Sequence, residues 1–310
     1  MLRYETLKHR AEALRALTGL SLAEFEDLLQ RFLLAWEEAE RERLSRPDRQ
    51  RAIGAGRKYK LDMATYLLMT MMWVRLSLST AALAALFDVD KATVSRNGRR
   101  VLAVLRQVTE GEIDWPDPPA RGEGKDLATA LATYGDLFAI LDGTEQPIQR
   151  PGDPERQRAF YSGKKKRYTV KNGLVVNEDG LIRAVTPSTP GAVHDLRHFR
   201  ESGVLERIPR SVGVIGDAGF DGLHKDLPQH RVATAHKARR NHPLTEDQKL
   251  MNQELSRVRI VIEHVLAHMK QFRALSERFR HSLQIHDDIF VLVAAIVNRR
   301  TRQRLALEMA

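Results

Sequence analysis

Cysteine is absent from this chain of 310 residues. Disulfide bridges, thiolate catalysis and zinc sites built on cysteine are therefore excluded. Long apolar runs are also missing, since the two longest, Tyr66–Val74 and Ile289–Val297, fall short of the about 20 residues that cross a bilayer. The opening residues MLRYETLKHR lack the apolar core of a signal peptide. We therefore expect a cytoplasmic protein with no membrane partner.

Positive charge is in excess. The chain has 50 lysines and arginines against 40 aspartates and glutamates, which gives a formal net charge of +10. Such a balance favours a polyanionic partner, and nucleic acid is the commonest one. Composition leaves the alternative open that the basic surface binds no nucleic acid.

A linker rich in proline, glycine and charge, GEIDWPDPPARGEGKD, divides the chain, because it suits neither a helix nor a central strand. Before it, apolar residues recur at helical spacing. After it, short apolar strands alternate with helices, as in an α/β domain. The pattern predicts an N-terminal helical region over 1–56, a helix-turn-helix domain over 57–113, the linker over 114–126 and an α/β domain over 127–310.

The segment Ser79–Arg106 is typical of a helix-turn-helix. A short amphipathic helix is followed by the turn DVD and by a helix with a polar, basic start, KATVSRNGRR. The second helix of such a motif enters the major groove of DNA. We predict contacts to bases or phosphates from Lys91, Thr93, Ser95, Arg96 and Asn97, and backbone contacts from Arg99 and Arg100. The alternative is a packing unit of three helices with no role on DNA.

Two aspartates follow short apolar stretches. Asp142 ends LFAILD before Gly143, and Asp217 ends VGVIGD. The glycine predicts that the strand ends at Asp142 and that the chain turns sharply there. Strand ends bind ligands in α/β sheets, and two neighbouring carboxylates repel unless a cation such as Mg²⁺ joins them. The alternative is that each aspartate is only a turn or cap residue.

A long helix over about Thr245–Phe272 offers a third carboxylate. Beside its apolar stripe, within an arc of roughly 60°, lie Asn252, Ser256, Arg259, Glu263 and Lys270. Glu263 would face a metal, and the two cations would face phosphates. The alternative is an ordinary amphipathic helix with an Arg-to-Glu pair at i, i+4.

Four motifs together resemble the catalytic core of a known family. They are DGTEQPIQRP from Asp142, YSGKKKRYTVK over 161–171, PGAVHD over 190–195, and GDAGF followed by NQELSRVRIVIEHVLAHMK. The segment 136–275 that holds them resembles DDE-type transposases of bacterial insertion sequences, of the insertion-sequence-five group related to Harbinger elements. Arg259, Glu263 and Lys270 have the spacing of the signature helix of related transposases. Ser256 stands where the broader signature has tyrosine.

The resemblance implies a ribonuclease H-like fold, which is a mixed sheet with helices on both faces, after a helix-turn-helix domain whose run VDKATVSRN is similar to the family's. It places Asp142 on the first strand, Asp217 on the fourth and Glu263 on a later helix. These three residues would hold two Mg²⁺ ions, with Mn²⁺ as a substitute. The implied partner is double-stranded DNA at the element ends and target, bound by a homodimer or larger homo-oligomer at the bacterial nucleoid.

Further polar residues within the motifs are candidates for supporting roles. Lys164, Lys165, Lys166 and Arg167 follow a Ser-Gly turn and would contact phosphates near the site, or would form a solvated basic turn. Asp195 would either assist the metal site or cap the following helix, and the cap is slightly favoured.

Two rival functions remain at this level. One is a domesticated nuclease that still cuts DNA and no longer transposes. The other is a DNA-binding regulator with an inactive catalytic domain, although the presence of all three carboxylates, Arg259 and Lys270 argues against it.

Overall fold

The computed structural model describes residues 1–45, 59–115, 138–238, 240 and 242–308. These residues form two compact units. The first comprises Met1–Gly111, Lys270–Glu277 and His281–Val293, and the second Glu112–Met269, Arg278–Arg280 and Ala294–Ala310. Most of the expected linker, residues 116–126, lies outside the described part, and the three boundaries between the expected segments stay a prediction. In the described ranges no helix is long and apolar enough to cross a membrane.

The first unit is helical. Its helices are α1 Tyr4–Leu7, α2 Ala11–Thr18, α3 Leu22–Leu44, α4 Met63–Leu76, α5 Thr80–Phe87 and α6 Lys91–Thr109. Ser21 and Glu24 form a capping box at the start of α3, which satisfies two backbone donors that a helix end leaves open. Helix α4 is buried nearly all round, from Thr65 to Met72, as its uninterrupted apolar sequence predicts. It is therefore the centre of this unit.

The second unit is a mixed sheet with helices. Its strands are β1 Phe138–Pro147, β2 Tyr161–Ser162, β3 Arg167–Val176, β4 Ile182–Val185, β5 Thr189–Pro190, β6 Gly213–Gly216 and β7 Val232–Thr234. The order is β2-β3-β1-β6-β7, and β4 and β5 also pair with β3. Strand β1 is antiparallel to β3 and parallel to β6, which is parallel to β7. The mixed sheet confirms the expected α/β class and is consistent with a ribonuclease H-like domain.

The helices after β1 are α7 Pro154–Phe160, α8 Asp195–Ser202, α9 Leu223–Asp226, α10 Glu246–Lys270 and α11 Leu283–Glu308. Helices α8 and α9 pack on the sheet in one core cluster that includes Leu141, Phe199 and Leu223. The ring of Phe199 lies so close to β3 that a Cβ at Gly173 would collide with it. Glycine at this point of β3 therefore lets α8 approach the sheet.

Strand β1 does not end at Asp142, so the expectation of a sharp turn at Gly143 is wrong. The strand continues to Pro147, because β3 pairs with it from Ile140↔Val176 to Pro147↔Thr169. What ends near Asp142 is the parallel ladder with β6, whose last pair is Ile140↔Ile215. Asp142 thus pairs with β3 on one side, and on the other side it lies beyond the last residue of β1 that pairs with β6.

Candidate active site

Asp142 and Asp217 lie side by side at the end of the parallel ladder. Each follows the pair Ile140↔Ile215 by two residues along its own chain segment. Asp217 comes directly after β6 and is the N-cap of a short 3₁₀ helix, Ala218–Phe220. Because both residues follow the last pair of one parallel ladder, the two carboxylates share one small region, and the charge of Asp217 raises the pKa of Asp142.

Local hydrogen bonds hold one oxygen of each carboxylate. The backbone N–H of Gly143 donates to Oδ1 of Asp142 at 2.9 Å, and that of Gly219 donates to Oδ1 of Asp217 at 2.8 Å. Asp217 therefore is a cap residue, as the local alternative proposed. Each carboxylate keeps a second oxygen, so capping and ligand binding are compatible.

Charge in this region is poorly compensated. Burial raises the pKa of Asp142 from 3.8 to about 6, Arg259 lowers it in part, and the charges of Asp217 and Asp195 raise it further. Nη2 of Arg259 lies 3.9 Å from Oδ1 of Asp142, at the outer limit of an ion pair. The region thus attracts a further cation.

Arg259 on α10 faces Asp142, as its position beside the apolar stripe predicts. Leu255, Ile262, Val265 and Met269 of the stripe are buried, whereas 17% of the Arg259 side chain is exposed. Its Nε is buried and finds no hydrogen-bond acceptor in the described part of the chain. The guanidinium therefore has donor capacity left for a ligand oxygen.

Asp195 does not act as the helix cap that the sequence slightly favours. It is the first residue of α8, and His194 occupies the N-cap position. Its carboxylate turns to Lys171, whose Nζ donates to Oδ1 at 2.6 Å. Asp195 is thus close enough to Asp142 to affect its pKa.

The predicted third carboxylate, Glu263, is exposed on α10. Over the described ranges no three His, Cys, Asp or Glu side chains are grouped closely enough to hold one metal ion. The structure therefore does not assemble Asp142, Asp217 and Glu263 into a triad, and the role of Glu263 stays a prediction. Two carboxylates completed by water nevertheless suit Mg²⁺, which is usually bound by one or two carboxylates.

The other predicted residues of α10 have separate positions. Asn252 accepts from the backbone N–H of His236 at 2.7 Å and donates to its carbonyl at 3.0 Å, so it anchors the chain after β7. Ser256 is exposed. Lys270 ends α10 and is exposed, and it is counted with the first unit. The described contacts of Asn252 are therefore with the chain after β7 and not with Asp142 or Asp217.

The predicted phosphate-binding run lies in the connection from β2 to β3. Lys164, Lys165, Lys166 and Arg167 are all exposed. The backbone N–H of Lys166 donates to the carbonyl of Ser162 at 2.8 Å, which closes a tight turn with Lys166 at a φ of 54°. Four positive charges are thus displayed on one short hairpin.

In the first unit, α5 and α6 are joined by Asp88, Val89 and Asp90. Of the predicted DNA contacts, the exposed ones are Lys91, Arg96 and Arg99, and the half-buried ones include Thr93 and Ser95. The remaining two side chains are engaged inside the unit. Asn97 donates to the Tyr66 hydroxyl at 2.9 Å, and Arg100 lies over the ring of Trp36 and pairs with Glu40.

Lys171 is a polar residue of the site that sequence reasoning did not single out, although it ends the quoted motif YSGKKKRYTVK. It is 4% exposed and bonds Asp195. A lysine inside a strand that is otherwise buried is the signal that would have identified it, because a buried lysine requires a partner.

Sequence comparisons relate the chain to a known family. Residues 141–298, just over half of the chain, match the DDE superfamily endonuclease family. A probable transposase for an insertion sequence element of Microchaete diplosiphon is 35% identical over 46% of this chain and 50% of its own length. A transposase of Neisseria meningitidis serogroup B is 33% identical over 30% of this chain and 31% of its own length. A putative transposase of Streptomyces albus G is 25% identical over 73% of this chain and 76% of its own length.

The chain thus spans about half the length of the first of these relatives and a third of the second. The family match begins one residue before Asp142 and includes Asp195, Asp217, Arg259 and Glu263. The chain belongs to the DDE superfamily endonucleases and is similar to transposases of insertion sequence elements.

Proposed function

We propose that this protein binds the terminal inverted repeats of its own element, cleaves DNA there with divalent metal ions, and joins the freed ends to target DNA. The observation that carries the proposal is the pair Asp142 and Asp217, which follow the last ladder pair of two adjacent parallel strands. Transposases act on DNA, and DDE superfamily endonucleases use divalent metal ions. A polyanionic substrate also suits the net charge of +10.

The carboxylate pair supplies the metal ligands in this proposal. Asp142 and Asp217 offer hard oxygen atoms, and burial together with mutual repulsion raises the pKa of Asp142, so a divalent cation is favoured between them. When bound, divalent ions supply Lewis-acid stabilisation of the charge that develops on a phosphodiester during in-line displacement. Glu263 is the proposed third ligand, to be brought in when DNA is bound.

Basic side chains position the substrate. Arg259 holds its guanidinium beside Asp142 and has an Nε without an acceptor in the described residues, which suits a phosphate oxygen. The exposed run Lys164–Arg167 would contact the DNA backbone outside the site. Lys270 has the same role in our proposal. We also propose a homodimer or larger homo-oligomer, since two element ends must be joined.

The start of α6 is the proposed reader of the element ends, within a helix-turn-helix formed by α5 and α6. Support comes from the exposed side chains of Lys91, Arg96 and Arg99 and from the short connection between the helices. Base contacts by Asn97 and backbone contacts by Arg100 are less favoured, because the first is bonded to Tyr66 and the second stacks on Trp36.

The decisive experiment is cleavage of a supercoiled plasmid that carries the element's own ends. The purified chain is incubated with Mg²⁺ or Mn²⁺, and EDTA is the negative control. Asp142→Asn, Asp217→Asn and Glu263→Gln should each abolish cutting at the ends. Glu254→Gln is the matched control for Glu263, because Glu254 lies on the same helix and pairs only with the exposed Arg257 among the pairs described, and it should cut normally.

Each rival function has its own outcome in this assay. Metal-dependent cutting with no strand transfer into a target plasmid would favour a domesticated nuclease. Selective binding of the ends without cleavage under any metal would favour a regulator, and would refute the catalytic proposal. If Glu263→Gln cuts as well as the native chain, Glu263 is not a ligand.

End recognition is tested separately by the affinity for a labelled end fragment. Arg96→Ala should weaken binding by about 1–3 kcal/mol if its side chain reads a base. Arg15→Ala removes the same charge from an exposed position on α2 and should leave the affinity close to native. Equal losses in the two variants would show that only overall charge matters, and would refute the role of α6.

A further inference from the structure

Lys171 is a buried charge in the middle of β3. It is 4% exposed, and its strand neighbours Val170 and Asn172 are buried as well. A lysine is almost never this buried unless it is paired, because the loss of hydration must be offset by opposite charge and hydrogen bonds. The position thus calls for a specific function of the ammonium group.

The ammonium group donates to two acceptors and lies near one further carboxylate. Nζ donates to Oδ1 of Asp195 at 2.6 Å and to the carbonyl of Val193 at 2.5 Å. Oε1 of Glu145, its cross-strand neighbour on β1, is 4.0 Å away. Glu145 in turn accepts from the hydroxyl of Thr169 at 2.7 Å. Lys171 therefore ties the chain before α8 to the two central strands.

The carboxylate of Asp195 lies between the two glycines that follow the site aspartates. A Cβ placed on Gly143 would be 3.0 Å from Oδ1 of Asp195, and one placed on Gly219 would be 3.4 Å from Oδ2. The same Cβ on Gly219 would be 2.9 Å from Oδ1 of Asp217. Asp195 thus lies beside both glycines, and their missing side chains make room for its carboxylate.

We propose that Lys171 is a positioning residue that acts through Asp195, an inference that rests on the proposed function. By holding Oδ1, Lys171 keeps the Asp195 carboxylate wedged between Gly143 and Gly219, and so fixes the spacing of Asp142 and Asp217. Within the described part of the chain, no other side chain bonds the Asp195 carboxylate to hold it against two other negative charges. Without the ammonium group, the carboxylate then moves out of its position between Gly143 and Gly219, and the two aspartates lose the spacing that cation binding needs.

The direction of the effect separates positioning from simple electrostatics. Removal of a positive charge near two carboxylates should by itself tighten the binding of a cation. Loss of position should weaken it. The test is a titration of the full chain with Mn²⁺ in the absence of DNA, with the free ion followed by electron paramagnetic resonance. Lys171→Met removes the charge and keeps an unbranched side chain that is one atom shorter, and we expect it to raise the Kd at least tenfold.

Further variants test whether Lys171 acts through Asp195. Asp195→Asn should raise the Kd by a similar factor. The Kd of the double variant should not exceed the higher Kd of the two single variants, because both changes act on the position of the same carboxylate. Lys249→Met removes a lysine from an exposed pair with Glu246 and should leave the Kd unchanged. Leu205→Ala lowers the stability of the same core and should lower the melting temperature without changing the Kd.

The outcomes are distinct. If Lys171→Met binds Mn²⁺ as tightly as the native chain or more tightly, Lys171 is not a positioning residue, while the carboxylate site stands. If Leu205→Ala weakens binding as much as Lys171→Met, the effect is one of stability and the inference is wrong. If the native chain shows no Mn²⁺ binding that Asp142→Asn removes, both the proposed site and the role of Lys171 are refuted.

Discussion

Replacement of Asp142 by asparagine should stabilise the protein when no metal is present. The change removes one negative charge from a region where burial and the charges of Asp217 and Asp195 already disfavour it. Asparagine has nearly the same shape, and its Oδ1 still accepts from the N–H of Gly143. The variant therefore tests the cost of the charge alone.

The magnitude follows from the pKa of Asp142, which rises from 3.8 to about 6 on folding. A shift of about 2 pH units at about 1.4 kcal/mol per unit corresponds to about 3 kcal/mol. The attraction of Arg259 is already included in that pKa, and 20% of the Asp142 side chain is exposed, so solvent screens little of the effect. A gain of about 3 kcal/mol is a large part of an ordinary domain's stability.

The sign depends on pH in a defined way. A carboxyl group with a raised folded-state pKa is favoured in its protonated form, so its stabilising contribution is complete below pH 3.8 and is lost as pH rises through about 6. The native chain therefore carries the full penalty at pH 8 and almost none near pH 4. Asp142→Asn should be more stable than the native chain at pH 8, and the two should be nearly equal near pH 4.

The assay is hydrogen exchange with increasing urea, read on peptides from β1 and β6 in the presence of EDTA. This choice reports on the second unit alone, because a chain with two compact units need not unfold in one step. Asp221→Asn, an exposed aspartate of the same unit, should change stability by less than about 0.5 kcal/mol. If Asp142→Asn is destabilising at pH 8, or if its gain persists unchanged near pH 4, the charge-repulsion argument fails.

Two further substitutions test the frame around the site. Gly191→Ala should destabilise the second unit by about 1–3 kcal/mol, because its Cβ would collide with the hydroxyl of Thr169 and lie 2.8 Å from its carbonyl oxygen; Gly152→Ala, which meets nothing within 4 Å, is the control for thermal melting. Asn298→Leu should cost at least about 2 kcal/mol in urea unfolding, because Asn298 is fully buried and bonds both the N–H and the carbonyl of Ile182, which would lose their partner. A native-like midpoint in either variant would contradict the packing described.

Local patterns predicted the elements of the second unit well and their pairing less well. The hairpin of β3 and β4 and the strand before Asp217 follow from short apolar runs bounded by turn residues. The continuation of β1 to Pro147 could not be predicted in this way, since Gly143 is a typical strand terminator. It results from pairing with β3, whose partner residue Thr169 lies 22 positions away from Pro147. Pairing at that distance overrides a local turn preference.

For the candidate site too, the sequence identified residues more readily than their arrangement in space. Asp142 and Asp217 were identifiable because each follows an apolar stretch and adjoins a glycine, and the structure places them beside one another. Glu263 was identified from the spacing of a helix, and a helix fixes which residues share a face without fixing how far that face lies from a ligand. The distance of Glu263 from the aspartates therefore depends on helix packing, which a helical pattern does not contain.

Lys171 and Asp195 mark where sequence reasoning stops. The run TVKNGLVV predicts a buried strand, and a lysine within it implies a buried acidic partner, since an unpaired charge would be too costly. The sequence offers several acidic residues and no rule to choose among them. The register of β1 and β3 places Glu145 opposite Lys171, yet the short bond goes to Asp195, because α8 packs where Gly173 leaves room for Phe199. Helix packing on the sheet thus decides which acidic residue pairs with Lys171. It thereby also sets the position of the Asp195 carboxylate beside Asp142 and Asp217.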